Sequence, residues 1–218
     1  MNNNRFSSIF WDFGGVITSS PFEAFARYEE ENHLPKDFIR QVNSTNPDTN
    51  AWALLEQSKI SLEEFDSLFS KESHDLGHKI NGVDVLFLLQ GHIRPAMINV
   101  LKKFKEKGFL QACLTNNFDS EEKDDSPLDG ANKERLQIMD IFDHVIESKD
   151  LGIRKPDKEF YEYALKVTNA DPKKTIFLDD LGINLKPAKE MGIFTVKVFS
   201  DVQAIKDLSA LTEIDFNR

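Results

Sequence analysis

The chain has 218 residues, 40% of them hydrophobic and 29% charged, an ordinary globular balance for which disorder is not the default and which leaves room for one domain with a sizeable insertion or for two small domains. A net charge of −10 with an isoelectric point near 5.0 excludes an average surface that attracts nucleic acid or anionic membrane, so an anionic substrate needs local cations or a metal. One cysteine, Cys113, excludes an internal disulfide framework and a cysteine-rich zinc cluster and fits a reducing compartment.

The opening "MNNNRFSS" lacks the apolar core and cleavage pattern of a signal peptide. The densest apolar run, "VDVLFLL", is far shorter than the roughly 20 residues of a membrane helix. The expectation is a soluble, cytoplasmic protein. "FSSIFWDF" reads as a buried strand that stops at Asp12 and is followed by Gly14 and Gly15. Residues 20–90 hold no comparable strand run. "PFEAFARYEEENH", "PKDFIRQVN", "NAWALLEQS", "SLEEFDSLFSKES" and "VDVLFLLQG" read instead as short amphipathic helices, with Ser61 and Glu64 forming a capping box. Phe22, Phe25, Phe38 and Trp52 lie on them; core packing is their default role, though helices closing over a site also present aromatics to a substrate.

After this insertion comes the helix "RPAMINVLKKFKEKG", then the strand "GFLQACLTN" ending at Thr115 and Asn116. The acidic, turn-rich stretch 119–134 reads as a solvated loop leading into the helix "KERLQIMDIF". A weaker strand, "FDHVIES", precedes Lys155 in "GIRKPD", and the helix "DKEFYEYALKVTNA" leads to the strand "KTIFLDD", which ends at Asp179 and Asp180. A last strand, "IFTVKVF", follows Gly192. Strands alternating with helices imply right-handed βαβ units and a parallel sheet, with ligands at the carboxyl ends of the strands.

Asp12, Thr115 with Asn116, Lys155, and Asp179 with Asp180 all fall at such ends or in adjoining loops. Singly each has an ordinary explanation, as a cap, a turn or a solvent-facing lysine. Jointly they describe phosphoryl transfer to a carboxylate. An ionised Asp12 attacks phosphorus and divides hydrolysis into two easier steps through an aspartyl-phosphate. Carboxylates facing a phosphate repel one another, by on the order of 4 kcal/mol per pair of unit charges about 4 Å apart in a medium of dielectric about 20. A divalent cation removes that objection, and hard oxygen ligands beside a phosphate select Mg²⁺. Thr115 would hydrogen-bond a phosphoryl oxygen, and Lys155 would offset charge on the phosphate and on Asp12. His33, His74, His78, His92 and His144 show no metal-ligand spacing.

"WDFGGV", "LTNN", "GIRKPD" and "FLDDLGINLKPAKEMG" resemble, in order, the four motifs of the haloacid dehalogenase-like (HAD) hydrolase superfamily. Within it the chain is similar to the phosphatase domain of soluble epoxide hydrolase and to the related domain of acyl-CoA dehydrogenase family proteins. "ESKDLGIRKPDKEFY" and "FLDDLGINLKPA" carry that likeness most specifically. The resemblance implies an α/β core with a Rossmann-like parallel sheet over residues 1–17 and 93–218 and an inserted α-helical cap domain over 18–92. It implies Asp12 as nucleophile, Lys155 as its catalytic partner, and Thr115 and Asn116 as phosphate contacts. Mg²⁺ would be held by Asp12, the Gly14 carbonyl and Asp180, with Asp179 as a further ligand or support. Asn184 falls near the site, and Gly15 gives the turn that opens access to the nucleophile. The implied substrate is a small phosphorylated metabolite, with neither nucleic acid nor membrane as partner and a monomer or homodimer as the assembly.

The chain departs from the family pattern at Gly14. HAD phosphatases carry there a second Asp, which protonates the leaving alcohol and then activates water, a contribution of about 10² to 10⁴ in rate. Three readings stay open. One is a phosphatase acting on a good leaving group such as a sugar 1-phosphate, or borrowing an acid from Asp119 or from a Glu or His of the cap. Another is a C–P or C–X hydrolase, with Lys36, Lys59, Lys71 or Lys79 as candidate Schiff-base lysine; the retained Asp179 and Asp180 weigh against a dehalogenase. The third is a phosphate-binding module without turnover, against which intact Asp12, Lys155 and Asp180 argue.

Overall fold

The structure is a computed structural model that describes residues 5–89, 91–117 and 135–216. The stretch 119–134, with Asp119, lies outside the described residues. The strands β1 (Ser8–Trp11), β2 (Leu110–Thr115), β3 (His144–Glu147), β4 (Thr175–Asp179) and β5 (Phe194–Lys197) fall on the runs that the sequence marks. They form one parallel sheet in the order β3-β2-β1-β4-β5.

The central strands are apolar at successive positions because helices cover both faces of the sheet. Ile9, Trp11, Cys113, Ile176 and Leu178 point into one layer, and Phe10, Ala112, Leu114 and Phe177 into the other. Cys113 is a buried packing residue whose thiol burial pushes above its ordinary range. The first layer is closed by Met97, Leu101 and Phe104 of α6 (Pro95–Glu106) and by a C-terminal helix spanning Asp201–Thr212. Two further helices close the second: Lys158–Thr168, through Phe160, Tyr161 and Ala164, and Gly182–Glu190, through Leu185 and Ala188. With the single turn α7 (Ser148–Leu151) ahead of them, these become α8 (Lys158–Thr168), α9 (Gly182–Glu190) and α10 (Asp201–Thr212) in chain order. The described part of "KERLQIMDIF", residues 135–139, is helical.

Between β1 and α6 the chain forms α1 (Pro21–Glu31), α2 (Phe38–Ser44), α3 (Ala51–Glu56), α4 (Leu62–Asp75) and α5 (Gly82–Leu88). These helices share a separate apolar cluster that includes Phe25, Phe38, Leu55, Phe65, Phe69 and Val85, with Phe22 and Trp52 packed half-buried at its margin. The capping box at the start of α4 is present, Glu64 N–H donating to Ser61 Oγ at 3.2 Å and Ser61 N–H to Glu64 Oε2 at 2.8 Å. Outgoing and returning segments lie side by side. Thr18 and Ile93 form an antiparallel bridge, and Arg94 N–H donates to the Ile17 carbonyl at 2.9 Å. No helix among the described residues is long and apolar enough to cross a membrane.

In the strand order, β1 has β2 on one side and β4 on the other. The chain therefore winds outward in both directions from β1, and a crevice opens at its carboxyl end. Asp12, Thr115 and Asp179 are delivered to that crevice.

Candidate active site

Asp12 is the first residue past β1, and its N–H still donates to the Leu178 carbonyl at 2.8 Å, so the ladder of the sheet fixes its main chain. Its Oδ1 accepts from the Phe13 N–H and from Lys155 Nζ, each at 2.8 Å. Lys155 Nζ also donates to Asp179 Oδ2 at 2.8 Å, which sets one ammonium between two carboxylates. Lys155 is 2% exposed. Burial opposes its charge, but Asp12 and then Asp179 outweigh that and hold its pKa above the ordinary lysine value.

Asp179 is wholly buried. Its Oδ1 accepts from the Leu181 N–H at 2.8 Å, and the Asn184 side-chain amide donates to both of its oxygens at 3.1 Å. Asn184 is itself held by Tyr161, whose hydroxyl donates to the Asn184 carbonyl at 2.6 Å. Asp179 thus acts here as a fixed counter-ion for Lys155. Asp180 is less enclosed and accepts from Ser20 Oγ at 3.1 Å.

Asn116 follows β2, and its side chain lies along the Lys155 peptide. Oδ1 accepts from the Lys155 N–H and Nδ2 donates to the Lys155 carbonyl, both at 2.9 Å. The amide that the resemblance assigns to phosphate is engaged in holding the lysine. Thr115, at the end of β2, is buried at the same edge. Lys36, Lys59, Lys71 and Lys79 are all exposed and give no support to a buried Schiff-base amine.

Asp12, Asp179 and Asp180 each present a carboxylate oxygen within 4.8 Å of the others. Burial pushes the Asp12 carboxyl up to about 8, with Asp179 and Asp180 adding to it against Lys155. Burial and then Asp179 push Asp180 up to about 6. Burial is the larger cause, and three carboxylates crowded around one buried ammonium add to it. Hard oxygen donors with surplus negative charge fit a divalent cation such as Mg²⁺. The expectation that Asp12 is ionised at neutral pH is therefore an expectation for the cation-loaded site.

Gly15 lies in the left-handed region, with φ +75°, and a Cβ there would stand 2.3 Å from Asp180 Oδ2. No other residue lets Asp180 reach this position. Gly15→Ala is expected to destabilise the fold by about 1–3 kcal/mol and to weaken Mg²⁺ binding, read by thermal denaturation with and without the ion. Gly14 differs: its backbone is outside that region and, among the described residues, a Cβ would meet nothing within 4 Å.

Sequence reasoning did not single out Glu56 and Arg154. Arg154 sits beside Lys155 in a motif already marked, a usable signal; Glu56, at the end of α3, carried none. The Glu56 carboxylate pairs with the Arg154 guanidinium at the margin of the site.

A family model described as haloacid dehalogenase-like hydrolase matches residues 6–192. The chain is 32% identical over 212 residues to mouse acyl-CoA dehydrogenase family member 10, covering 94% of this chain and 19% of that protein, so it spans about a fifth of that relative's length. It is 28% identical over 214 residues to the sesquiterpene phosphatase astK of Aspergillus oryzae, covering 94% of this chain and 96% of the relative. Among solved structures, a HAD family enzyme of Bacteroides thetaiotaomicron in complex with magnesium and inorganic phosphate shares the fold with a TM-score of 0.58 at 21% identity, covering 88% of this chain and 93% of that one. Since the family match takes in β1 to β4 and every residue of the carboxylate cluster, this chain belongs to the haloacid dehalogenase-like hydrolases.

Proposed function

We propose that the protein is a Mg²⁺-dependent phosphatase that hydrolyses a small phosphorylated metabolite through an aspartyl-phosphate on Asp12. The observation that carries this reading is the fixing of Asp12. Among the described residues both hydrogen bonds it accepts fall on Oδ1, while Asp180 approaches within 4.8 Å. One oxygen is anchored, and Oδ2 is the one to attack.

In the first step Asp12 Oδ2 bonds to phosphorus as the P–O bond to the alcohol breaks, its electron pair leaving with the alkoxide, which takes up a proton from solvent as the cap reopens. In the second step water attacks phosphorus and the Asp12–phosphorus bond breaks, releasing inorganic phosphate and restoring the carboxylate. Lys155 holds Asp12 in one orientation and offsets the negative charge gathered there, and Thr115 hydrogen-bonds a phosphoryl oxygen. Mg²⁺ would be held by Asp12, Asp180 and the Gly14 carbonyl, and would supply positive charge against that developing on the transferring phosphoryl group. Asp179 keeps Lys155 in place. Residues 18–92 act as a cap on a core of 1–17 and 93–218, admitting substrate and then excluding water from the first step. The phosphatase relative matched over nearly its whole length favours a phosphomonoester over a C–P or C–X substrate.

Phosphate release from a panel of phosphomonoesters, with and without Mg²⁺ and beside halide release and phosphonoacetaldehyde cleavage, tests this reading. Silence on every phosphomonoester overturns it.

A pH dependence follows from the two raised carboxyls. Their folded-state values, about 8 for Asp12 and about 6 for Asp180, lie above the ordinary 3.8. The folded, cation-free protein therefore keeps protons that the unfolded chain releases. The stability these groups contribute is full below about pH 4 and is lost as the pH rises through 6 and 8. Mg²⁺ competes with the same protons, so its affinity is expected to rise by at least about tenfold between about pH 5.5 and 8. Thermal shift against Mg²⁺ concentration at each pH measures this, and in Asp180→Ala the rise should shrink along with the affinity.

A further inference from the structure

We infer that Glu56, supplied by the inserted helices, is a positioning residue for Lys155, so that the lysine is fully held only while those helices are seated on the carboxyl edge of the sheet. The kinetic consequence rests on the phosphatase reading; the structural one does not.

Glu56 is the last residue of α3, and its side chain leaves the helical cluster for the core, where it is 9% exposed. It meets Lys155 by two routes. Asn116 Nδ2 reaches Glu56 Oε2 at 3.4 Å while also donating to the Lys155 carbonyl at 2.9 Å. A side-chain amide has two N–H donors, so both are engaged, one on each side of the boundary between insertion and core. With Oδ1 accepting the Lys155 N–H at 2.9 Å, the main chain of the lysine is clamped by an amide that Glu56 orients.

The second route is Arg154, directly before Lys155. Its Nη1 pairs with Glu56 Oε2 and its Nη2 donates to the Pro47 carbonyl at 2.6 Å, so among the described residues the guanidinium's partners lie on the insertion. Ser58 Oγ donates to the Lys149 carbonyl at 3.3 Å, a further contact between the same two segments. At the far end of this chain Lys155 Nζ spans Asp12 and Asp179 at 2.8 Å each. A shift of its main chain lengthens at least one of those bonds. Glu56 touches neither phosphate nor cation in this scheme; it acts through Asn116 and Arg154.

Glu56→Ala, Glu56→Gln and Arg154→Ala in the full chain test the inference with two readouts. The first is hydrogen exchange by mass spectrometry. Glu56→Ala is expected to speed exchange across residues 152–157 as well as within α3, and Glu56→Gln to do so less. The second is turnover of p-nitrophenyl phosphate with Mg²⁺. Here kcat should fall by about 10- to 100-fold with the half-saturating Mg²⁺ concentration unchanged, Arg154→Ala should behave alike, and the double variant should be no worse than either single one. Exchange that changes only over 51–56, or an unchanged kcat, overturns the inference, leaving Glu56 as an anchor for its own helix. Should the unaltered protein release no phosphate from this probe or from any phosphomonoester of the panel, the phosphatase reading fails, and the exchange at 152–157 still decides for or against the positioning role. Glu56→Gln keeps the side-chain volume and serves if Glu56→Ala does not fold.

Discussion

Asp12→Asn is expected to lower phosphate release by about 10⁴-fold or more while leaving the fold intact. An amide of the same shape does not attack phosphorus, so the covalent step has no nucleophile. The structural half of the expectation comes from the environment of the carboxyl. Burial, together with Asp179 and Asp180, pushes Asp12 up to about 8, so the cation-free folded protein at neutral pH already favours its uncharged form. Asn resembles that form, and its carbonyl oxygen still accepts from Lys155 and from the Phe13 N–H in place of Oδ1. The thermal midpoint without Mg²⁺ should therefore be unchanged or raised, while the stabilisation gained on adding Mg²⁺ shrinks. Activity and stability move apart, which separates loss of a nucleophile from loss of the fold. Full phosphate release by Asp12→Asn would remove Asp12 from the role of nucleophile.

The features that were legible in the sequence are those that local chemistry imposes. β1 and β4 read as strands because each is buried on both faces, and such strands have no polar alternation to blur them. Their ends read as a site because polar groups appear where the sheet opens on a crevice. Asp12, Asp179 and Asp180 converge there, and Lys155 joins them by donating to Asp12 and Asp179. Less legible was what each polar group does for the others. Asn116 and Lys155 are 39 residues apart, and Asn116 and Glu56 are 60 apart. No local spacing encodes either contact, since both depend on how helices packed around their own apolar cluster come to rest on the sheet. Glu56 in particular sits among other acidic residues on short helices, where a solvent-facing Glu is the ordinary case. Asp179 shows the same limit, because a pair of adjacent carboxylates in sequence does not reveal that one is enclosed by Asn184, Leu181 and Lys155 and the other is reached by Ser20.

Gly14→Asp is expected to raise phosphate release from esters of poor leaving groups by about 10²- to 10⁴-fold and to change esters of good leaving groups far less. The phosphatases of the family carry a general acid at this position, and among the described residues nothing steric keeps it out. Among those residues a Cβ on Gly14 meets no atom within 4 Å, whereas one on Gly15 would collide with Asp180. The backbone at Gly14 also lies outside the left-handed region, so an ordinary side chain is accepted without strain. Electrostatics favours the role as well. A carboxyl added beside Asp12 and Asp180, which are already pushed up to about 8 and about 6, is itself biased toward its protonated form, the form that donates to a departing alkoxide. The decisive measurement is kcat/KM across aryl and alkyl phosphates of increasing leaving-group pKa. The unaltered protein should show a steep decline and Gly14→Asp a shallow one, because a protonated leaving group no longer bears the charge that makes basic alcohols slow. Equal slopes would mean that a proton already reaches the alkoxide from another residue, and that the missing side chain at Gly14 does not limit the rate.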